Sequence, residues 1–534
     1  MINKIILLFL IIFGYLNLFY TNALGYELKS NDLPEKYSIH LYNPTFLGNQ
    51  YRRFYGKGPV PENLKVLWKI RIGGGLTKVW KKIPKWYGTG WPGQPVLVEE
   101  NGRLYVLFGG LDYNLWKVDA ATGKIIWKHK FKNVIKCTPT VFINPKAKNA
   151  REKGIILCGS RRDFDENMSS VKTRNFKAIS LLTGEELWFW GVPQTQSYSR
   201  DLDATGLVLD DVLYLGAENG IFYFIDPLNF NKENKKLEMK VLNKFKLYTK
   251  DDVVKHKSNL CIESYPALLE NTLYITAGSG HVYGINVSTK QIQWDFYIGS
   301  DLDSTPVITK SGDILFGVEK QYIEGKGGVF MLDPKKPPQE AVVWYFPVEN
   351  KKVQSWEGGV IGSVAINDEY IDYNKAPHLA AFCSLDGYTY IVSQEILAKE
   401  KVFGPNNDKQ YPTPKLIWKE KTGASISTPL FIDNNLIVCG YEGKVSIFNI
   451  DYTPKLDESL VSTSTPKYTI GFSSSDSRNN ASSINIKIKE QKGIYLPGSI
   501  ESTPIVWDRK IYVGCKDGYF YCLGESSLVK NKVK

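Results

Sequence analysis

The chain has 534 residues, of which 43% are hydrophobic and 13% aromatic, so it can bury a large core. Its seven cysteines are too few for a disulfide framework, and the absence of a CxxCH motif excludes covalent c-type haem. The net charge of +12 comes from lysines and arginines spread along the whole chain. No signature of a nucleic-acid-binding module accompanies them, so we expect no nucleic-acid partner.

The N-terminus has the pattern of a secretory signal peptide. Lys4 precedes an apolar run from Ile5 to Phe19, and Ala23 and Gly25 supply small residues before a cleavage site. We therefore predict a signal peptide over residues 1–25, with an uncleaved anchor as the alternative. We expect the mature protein to be secreted, periplasmic or held in the lumen of the secretory pathway. It has no second apolar run long enough to span a bilayer.

We assign residues 26–64 to an N-terminal extension, and a tryptophan-rich stretch, Val79–Gly93, comes shortly after it. Together with two later tryptophans, its rings could form a stacking surface for a sugar or a peptide. They could equally fill the join of a ring of repeats. The tryptophans concerned are Trp80, Trp86, Trp91, Trp188 and Trp190.

From Gln94 onwards the sequence repeats itself. The stretch SISTPLFIDNNLIVCGYEGKVSIFNID, which begins at Ser425, shares its frame with the stretch that begins at Ser499. Both have a Thr-Pro start, an apolar run, a polar turn, a second apolar run, a glycine turn and an alternating third run. Eight copies occur, beginning at Gln94, Thr138, Ala204, Tyr265, Thr305, Gly362, Thr428 and Thr503.

Each copy predicts three strands and a fourth that in most copies closes on a tryptophan. A proline suits the first residue of a strand, the Glu442-Gly443 turn fits a hairpin, and the alternation in Tyr519–Leu523 indicates a half-buried strand. A single four-stranded sheet cannot bury both faces, whereas sheets stacked around an axis can. We therefore predict an all-β protein, an eight-bladed β-propeller of four-stranded antiparallel blades over residues 65–524, followed by a C-terminal tail at 525–534.

The last copy ends before it has a fourth strand. A spare strand occurs near the N-terminus in VLWKIRIGG, around Trp68. We predict that this strand completes the last blade and closes the ring, because the sheet edges at the join would otherwise stay open.

Three segments interrupt the repeat, at 229–259, 393–414 and 452–496, and they are either neutral insertions or partner-binding loops. The chain also contains three N-glycosylation sequons, which predict modification in a eukaryotic host. Their acceptor residues are Asn167, Asn286 and Asn480.

The segments VDAATGKIIW and LLTGEELW, within the STP…G…DG…Y frame, resemble the PQQ-like repeat of the quinoprotein alcohol dehydrogenase-like propellers. The resemblance extends over about Lys65–Gly524. That superfamily includes PQQ-dependent dehydrogenases and non-catalytic scaffolds similar to the outer-membrane assembly factor BamB. The resemblance implies that the fourth-strand tryptophans pack between neighbouring blades. These docking residues are Trp68, Trp127, Trp188, Trp294, Trp344 and Trp418.

The resemblance also implies where a cofactor would bind. Active members hold PQQ with Ca²⁺ in the central funnel, where they use a Glu, an Asn and an Asp and often a vicinal disulfide. This sequence has no adjacent cysteine pair. A protein without a cofactor is therefore favoured, and PQQ with Ca²⁺ is the alternative.

Acidic residues recur just before the first strand of several copies. In a propeller such positions meet at the mouth of the central channel, where carboxylates suit a hard cation such as Ca²⁺ or a small polar ligand. A close pair could also supply a general base, for which Asp303 is the candidate, with Arg200 offsetting the repulsion. The same acids could instead bond backbone N–H groups. The set is Asp201, Asp203, Glu263, Asp301, Asp303 and Glu501.

Two functions follow from these observations. The sequence favours a secreted, monomeric, non-catalytic scaffold that binds a protein or a glycan. The alternative is a quinoprotein oxidoreductase that acts on an alcohol or a sugar, so whether the protein is an enzyme stays open.

Overall fold

The structure is a computed structural model that describes residues 37–91, 93–237, 241–372, 376–454, 469–470 and 484–525. The predicted signal peptide, the sequon at Asn480 and all of the C-terminal tail after residue 525 lie outside the described residues. The described chain is nearly all β, and its main sheets are the eight blades of a propeller, which confirms the predicted fold class. None of its described helices has the length and apolar character needed to cross a membrane.

The first four blades occupy the N-terminal half of the ring, and each has four antiparallel strands at its centre. Blade 1 has the strands Val96–Glu100, Arg103–Gly109, Asn114–Asp119 and Ile125–Lys130. Blade 2 has Thr140–Ile143, Gly154–Gly159, Phe176–Ser180 and Glu186–Trp190. Blade 3 has Leu207–Leu209, Val212–Gly216, Ile221–Ile225 and Val241–Lys246. Blade 4 has Ala267–Leu269, Thr272–Thr276, His281–Asn286 and Gln291–Tyr297.

The other four blades complete the ring. Blade 5 has the strands Val307–Ile308, Ile314–Val318, Gly328–Leu332 and Val342–Pro347. Blade 6 has Ala365–Ile366, Leu379–Cys383, Tyr388–Phe403 and Gln410–Lys421. Blade 7 has Leu430–Ile432, Asn435–Cys439, Lys444–Pro454 and Ile484–Glu490, extended by the short strands Thr469–Ile470 and Ile494–Tyr495. Blade 8 has Ile505–Trp507, Lys510–Cys515, Tyr519–Gly524 and Lys65–Arg71.

Few other elements interrupt the described part of the chain. The hairpin Gly74–Leu76 and Lys85–Tyr87 precedes blade 1. Two short α-helices occur at Ala150–Lys153 and Lys250–Lys255, and a 3-10 turn occurs at Pro338–Glu340.

The ring closes through the N-terminal strand, as predicted. Lys65–Arg71 pairs antiparallel with Tyr519–Gly524, and Trp68 lies opposite Cys522 in the register. The closing strand thus occupies the fourth position of blade 8, where it covers an edge that would otherwise be open.

The fourth-strand tryptophans bridge neighbouring blades. Trp68 Nε1 donates to the carbonyl of Ala120 in blade 1 at 3.2 Å, and a Cβ on Gly123 would come within 2.8 Å of the Trp68 ring. Four further indoles donate in the same way to the next blade. They are Trp127 to Leu181, Trp188 to Pro227, Trp294 to Lys336 and Trp344 to Gln394. Trp418 packs edge-on against Phe448 of blade 7, with ring centroids 4.8 Å apart.

The N-terminal extension lies across the hub. We call Tyr37–Val60 the hub plug. Its strand Ile39–Asn43 pairs antiparallel with the first strand of blade 1, and Gly56–Lys57 pairs in parallel with the first strand of blade 8. Between these strands, plug carbonyls accept hydrogen bonds from the backbone N–H groups of Val141, Leu268 and Ile308, in blades 2, 4 and 5. The plug therefore links first strands around the ring.

The three segments that interrupt the repeat contain ordered strands. Residues 229–259 and 452–496 supply the fourth strands of blades 3 and 7, the two blades without a closing tryptophan. Residues 393–414 extend the outer hairpin of blade 6, and its tip reaches back to blade 4 through Asn406, which donates to the carbonyl of Ile298 at 2.8 Å. The interpretation of these segments as loops was therefore incomplete.

Candidate functional site

A cavity of about 510 Å³ lies at the end of the hub where the first strands begin. We call it the funnel. The plug contacts the strands further along, so the two features lie at opposite ends of the first strands. Tryptophan and tyrosine rings form much of the funnel wall, together with both basic and acidic side chains. The aromatic residues are Trp80, Trp86, Trp91, Tyr198 and Trp356, and the acids are Asp201, Glu218, Glu263 and Glu501.

The six predicted carboxylates lie in this region. Asp201, Glu263 and Glu501 line the funnel, and Asp203, Glu263 and Asp303 line a smaller cavity beside it. Asp301 interacts electrostatically with Glu263 and Asp303. The small cavity is also lined by Phe46 of the plug and by Tyr265, whose rings stack 4.8 Å apart. Phe46 is thus a plug residue that borders the acids.

Three of the carboxylates form salt bridges. Asp203 pairs with Lys136, and Glu501 lies 3.2 Å from the Lys516 ammonium. Asp201 accepts from Arg161 Nε at 2.5 Å and from the Arg162 backbone N–H at 2.8 Å. Burial alone would raise the pKa of Asp201, but the neighbouring Arg161 and these hydrogen bonds hold that pKa below its ordinary value.

The cation that balances Asp201 is Arg161 rather than Arg200. The Arg200 guanidinium donates to the Thr173 hydroxyl at 2.8 Å and to the Ser170 carbonyl. Arg161 follows the second strand of blade 2, so its proximity depends on how neighbouring blades pack. The prediction that Arg200 offsets the charge of Asp201, which was based on their adjacency in sequence, was therefore wrong.

Five other carboxyl groups have no salt bridge within the described chain. Burial is the first cause that raises the pKa of each, and repulsion from neighbouring carboxylates adds to it. The pKa of Asp301 rises to about 7. A raised pKa favours the protonated form of each group, and a bound cation would favour the charged form instead. They are Glu218, Glu263, Asp301, Asp303 and Glu319.

Asp301, Asp303 and Glu319 form an oxygen-rich group whose ligand atoms lie within 4.8 Å of one another. Asn259 donates to Asp301 through Nδ2, while Asn259 Oδ1 and Asp301 Oδ1 have no hydrogen-bond partner among the described residues. Both free oxygens approach Gly278, where an added Cβ would lie 3.2 and 2.9 Å from them. Ca²⁺ prefers such carboxylate and amide oxygens, so this donor set fits it.

Sequence reasoning missed Glu218 and Glu319. Both follow the second strand of a blade, and each lies two positions after a glycine, in Gly216-Ala217-Glu218 and Gly317-Val318-Glu319. An alignment of the copies by their second strands would have revealed this shared position. Cys261, Lys136 and Trp356 had no comparable signal.

The funnel aromatics are partly exposed and form stacked pairs. Trp80 is 84% exposed and stacks on Tyr198 with centroids 5.6 Å apart. Trp91 stacks on Trp356 at 5.4 Å and donates through Nε1 to Glu263 at 2.9 Å. Trp188 and Trp190, the other two members of the predicted stacking surface, are buried in the core between blades 2 and 3. These two rings therefore do not face the funnel.

Two of the three sequons lie in the described residues. Asn167 is exposed, and its side chain accepts from the Ser169 hydroxyl. Asn286 is half-buried at the end of a strand, where its side chain accepts from two backbone N–H groups. Glycosylation at these positions stays a prediction.

The features that the sequence associates with bound PQQ are present in part. The oxygen-rich group fits Ca²⁺, and the funnel has flat aromatic faces. All seven cysteines are buried free thiols, and no two are adjacent in sequence, so the vicinal disulfide of many PQQ-binding relatives cannot form.

Comparison with known proteins agrees with the repeat pattern. The family model described as outer membrane protein assembly factor BamB matches residues 65–336, which include the closing strand and blades 1–4. BamB from Moraxella catarrhalis superposes with a TM-score of 0.37 at 11% identity, over 70% of this chain and 94% of that one. The computationally designed Ika8 protein gives 0.42 at 11% identity, over 79% of this chain and 93% of that one. No curated protein sequence matches the chain.

Proposed function

This chain belongs to the PQQ-repeat family of the outer membrane assembly factor BamB, and from that premise we propose that it is a non-catalytic binding scaffold with its ligand site in the funnel. One observation carries the proposal. A single cavity combines exposed aromatic faces with buried carboxyl groups that lack salt bridges. Its volume of about 510 Å³ lies within the range of small-molecule sites.

A glycan is the ligand class that best matches these groups. The faces of Trp80, Trp86 and Trp356 can stack on sugar rings. Carboxyl groups such as Glu218 can accept hydrogen bonds from hydroxyl groups, and they can donate them when the raised pKa keeps them protonated. A protein partner that presents an extended segment is the second candidate, and the family match to an assembly factor favours it.

The plug makes this a site with one entrance. Phe46 of the plug stacks on Tyr265 beside the acids, and backbone hydrogen bonds hold the plug against the first strands. A ligand would therefore enter and leave from the face with the hairpin Gly74–Leu76 and Lys85–Tyr87. With the sequence pattern at residues 1–25, we propose that the protein meets its ligand in a periplasm, in a secretory lumen or outside the cell.

Binding of the full chain to a panel of neutral and acidic oligosaccharides tests this function. We expect at least one binder, and we expect Trp80→Ala and Trp356→Ala to weaken it by about tenfold or more, as for stacking residues in other sites. Tyr495→Ala is the matched control, because Tyr495 is an exposed aromatic residue of blade 7 that does not line the funnel. No binding across the panel, or an equal loss in the control, would contradict the proposal.

The quinoprotein alternative has its own test. The fit of Asp301, Asp303 and Glu319 to Ca²⁺ is the observation that favours it. We would add PQQ and Ca²⁺ to the purified protein and measure dye reduction with a panel of alcohols and sugars. Turnover that Asp303→Ala abolishes would establish the oxidoreductase, and absence of both PQQ binding and turnover would leave the scaffold.

A further inference from the structure

The Cys261 thiol is buried between two carboxyl groups beside the funnel. Its Sγ lies 3.9 Å from Glu218 Oε2, and the ligand atoms of Glu218, Cys261 and Glu263 all lie within 4.8 Å of one another. Cys261 is 1% exposed, whereas Glu218 and Glu263 line the funnel. The group therefore has one protein-covered side and one side that faces the cavity.

Backbone bonds hold the three residues in place. Cys261 and Glu263 precede the first strand of blade 4, and Glu218 follows the second strand of blade 3. The two segments are tied by a hydrogen bond from Ile262 N to the Ala217 carbonyl at 3.3 Å, between residues that flank the ligands. The Cys261 carbonyl accepts from Gly278 N at 2.7 Å. Such support allows ligands to be preorganised.

A second observation points to a missing ligand. Glu218 is 4% exposed, and its Oε1 has no hydrogen-bond partner among the described residues, although the Ser199 hydroxyl donates to Oε2 at 2.5 Å. A buried polar atom without a partner is costly unless something else satisfies it. A bound cation would supply the missing partner of Oε1.

The charges around the group favour a cation. Glu218 is repelled by Glu263 and Asp203, and Glu263 is repelled by Asp203 and Asp303. Lys136 forms its salt bridge with Asp203 and Arg161 forms its salt bridge with Asp201, so neither cation is paired with Glu218 or Glu263. A divalent ion between Glu218 and Glu263 would offset the repulsion between them.

We propose that Glu218, Cys261 and Glu263 bind a thiophilic divalent cation of the Zn²⁺ class. A thiolate and two carboxylates give three ligands, and the side that faces the funnel leaves a fourth position for water or a ligand hydroxyl. Binding forms the metal–sulfur bond, and the thiol proton passes to solvent together with any proton held by Glu218 or Glu263. The neighbouring group of Asp301, Asp303 and Glu319 offers only oxygen ligands and suits a hard cation instead.

Titration of the full chain with Co²⁺, a spectroscopic substitute for Zn²⁺, tests the proposal. We expect one ion per chain, tetrahedral visible bands, a near-ultraviolet thiolate-to-cobalt charge-transfer band, and loss of these bands when Zn²⁺ is added. Cys261→Ser should abolish the charge-transfer band, and Glu218→Gln should weaken binding by more than about tenfold. Cys439→Ser, which alters another buried cysteine, in blade 7, is the matched control and should keep the band.

Circular dichroism melting of each variant shows whether it is folded, and Glu218→Gln, which keeps the thiol, provides an independent test if Cys261→Ser does not fold. Absence of the charge-transfer band in the wild-type chain would overturn the proposal, and so would its persistence in folded Cys261→Ser. Binding of Ca²⁺ without the cobalt band would also overturn it. Oligosaccharide binding measured in the presence of a chelator is a separate readout, so failure of the metal site and failure of the proposed function are distinguishable.

Discussion

The two ends of the hub differ in how well their buried polar groups are hydrogen-bonded. At the plugged end, Arg52 is fully buried, yet its guanidinium donates to the carbonyls of Pro266 and Phe46 and to the Thr45 hydroxyl. Burial lowers the pKa of Arg52 to about 9. In the described plug, Asn43 Oδ1 is the buried side-chain atom without a partner.

The funnel end leaves several polar atoms without a hydrogen-bond partner. Buried oxygens of four residues there have no hydrogen-bond partner among the described residues, namely Asp203, Glu218, Asn259 and Asp301. Proteins tolerate such costs mainly where function requires them. The contrast indicates that the plugged end stabilises the fold, whereas the unpaired oxygens at the funnel end are available to bind a ligand or an ion.

The largest effect is expected at the plug. Arg52→Met removes a buried donor and leaves the carbonyls of Pro266 and Phe46 unsatisfied, so we expect a loss of about 3 kcal/mol in the free energy of unfolding. Urea unfolding measures it, with Arg509→Met as the control at a half-exposed arginine. A loss below about 1 kcal/mol would contradict the claim that the plugged end stabilises the fold.

The next effect is a pH dependence at the funnel. Because the folded-state pKa of Asp301 is about 7 and its ordinary value is 3.8, the folded state holds its proton more tightly than the unfolded state. The contribution of Asp301 to the free energy of unfolding should therefore be highest below about pH 4. It should fall as the pH rises to about 7, by up to about 1 kcal/mol per pH unit.

Urea unfolding of the chelator-treated protein between pH 4 and 7, with Asp301→Asn alongside, isolates this slope. Asp201→Asn provides a control of opposite sign, because the lowered pKa of Asp201 makes its contribution disappear on acidification. An identical pH profile for wild type and Asp301→Asn would mean that Asp301 is not held in its acid form.

At Glu218 we expect a smaller change in the free energy of unfolding, and a gain rather than the loss expected at Arg52. Glu218→Gln removes a buried carboxyl group whose pKa burial and neighbouring acids raise, so at pH 7 it should stabilise the metal-free protein by about 1 kcal/mol. Thermal unfolding with a chelator present measures the change. Destabilisation by the same amount would show that the funnel acids support the fold.

The smallest effect on stability is expected at the funnel entrance. Trp80→Ala should change the free energy of unfolding by less than about 0.5 kcal/mol, because the ring is 84% exposed. The same variant should lose oligosaccharide binding. Denaturant unfolding beside the binding measurement separates the two, and a large loss of stability would place Trp80 in the structural part of the hub.

The sequence predicted the features that repeat. Eight copies with a shared frame gave the blade number, the missing fourth strand pointed to Trp68, and acids before first strands converged at one end. Each of these depends on local spacing, which a repeat preserves. The predicted site residues were found near one another because equivalent positions in a ring face a common axis.

The sequence could not predict the features that depend on long-range pairing. Residues 37–60 lack the repeat pattern, and one of their strands, Gly56–Lys57, pairs with residues of blade 8 that lie more than 400 positions away in sequence. The fourth strands of blades 3 and 7 were hidden because they lack the closing tryptophan. Arg161, rather than the adjacent Arg200, pairs with Asp201 because blade packing decides the contact.

Hydrogen–deuterium exchange of the full chain, with and without the tightest-binding oligosaccharide of the panel, tests the central claim most directly. The account predicts ligand-dependent protection at residues 74–91, 198–203 and 354–357, which border the funnel, and no change at 39–60 in the plug. Protection confined to the plug or to the outer strands would contradict it.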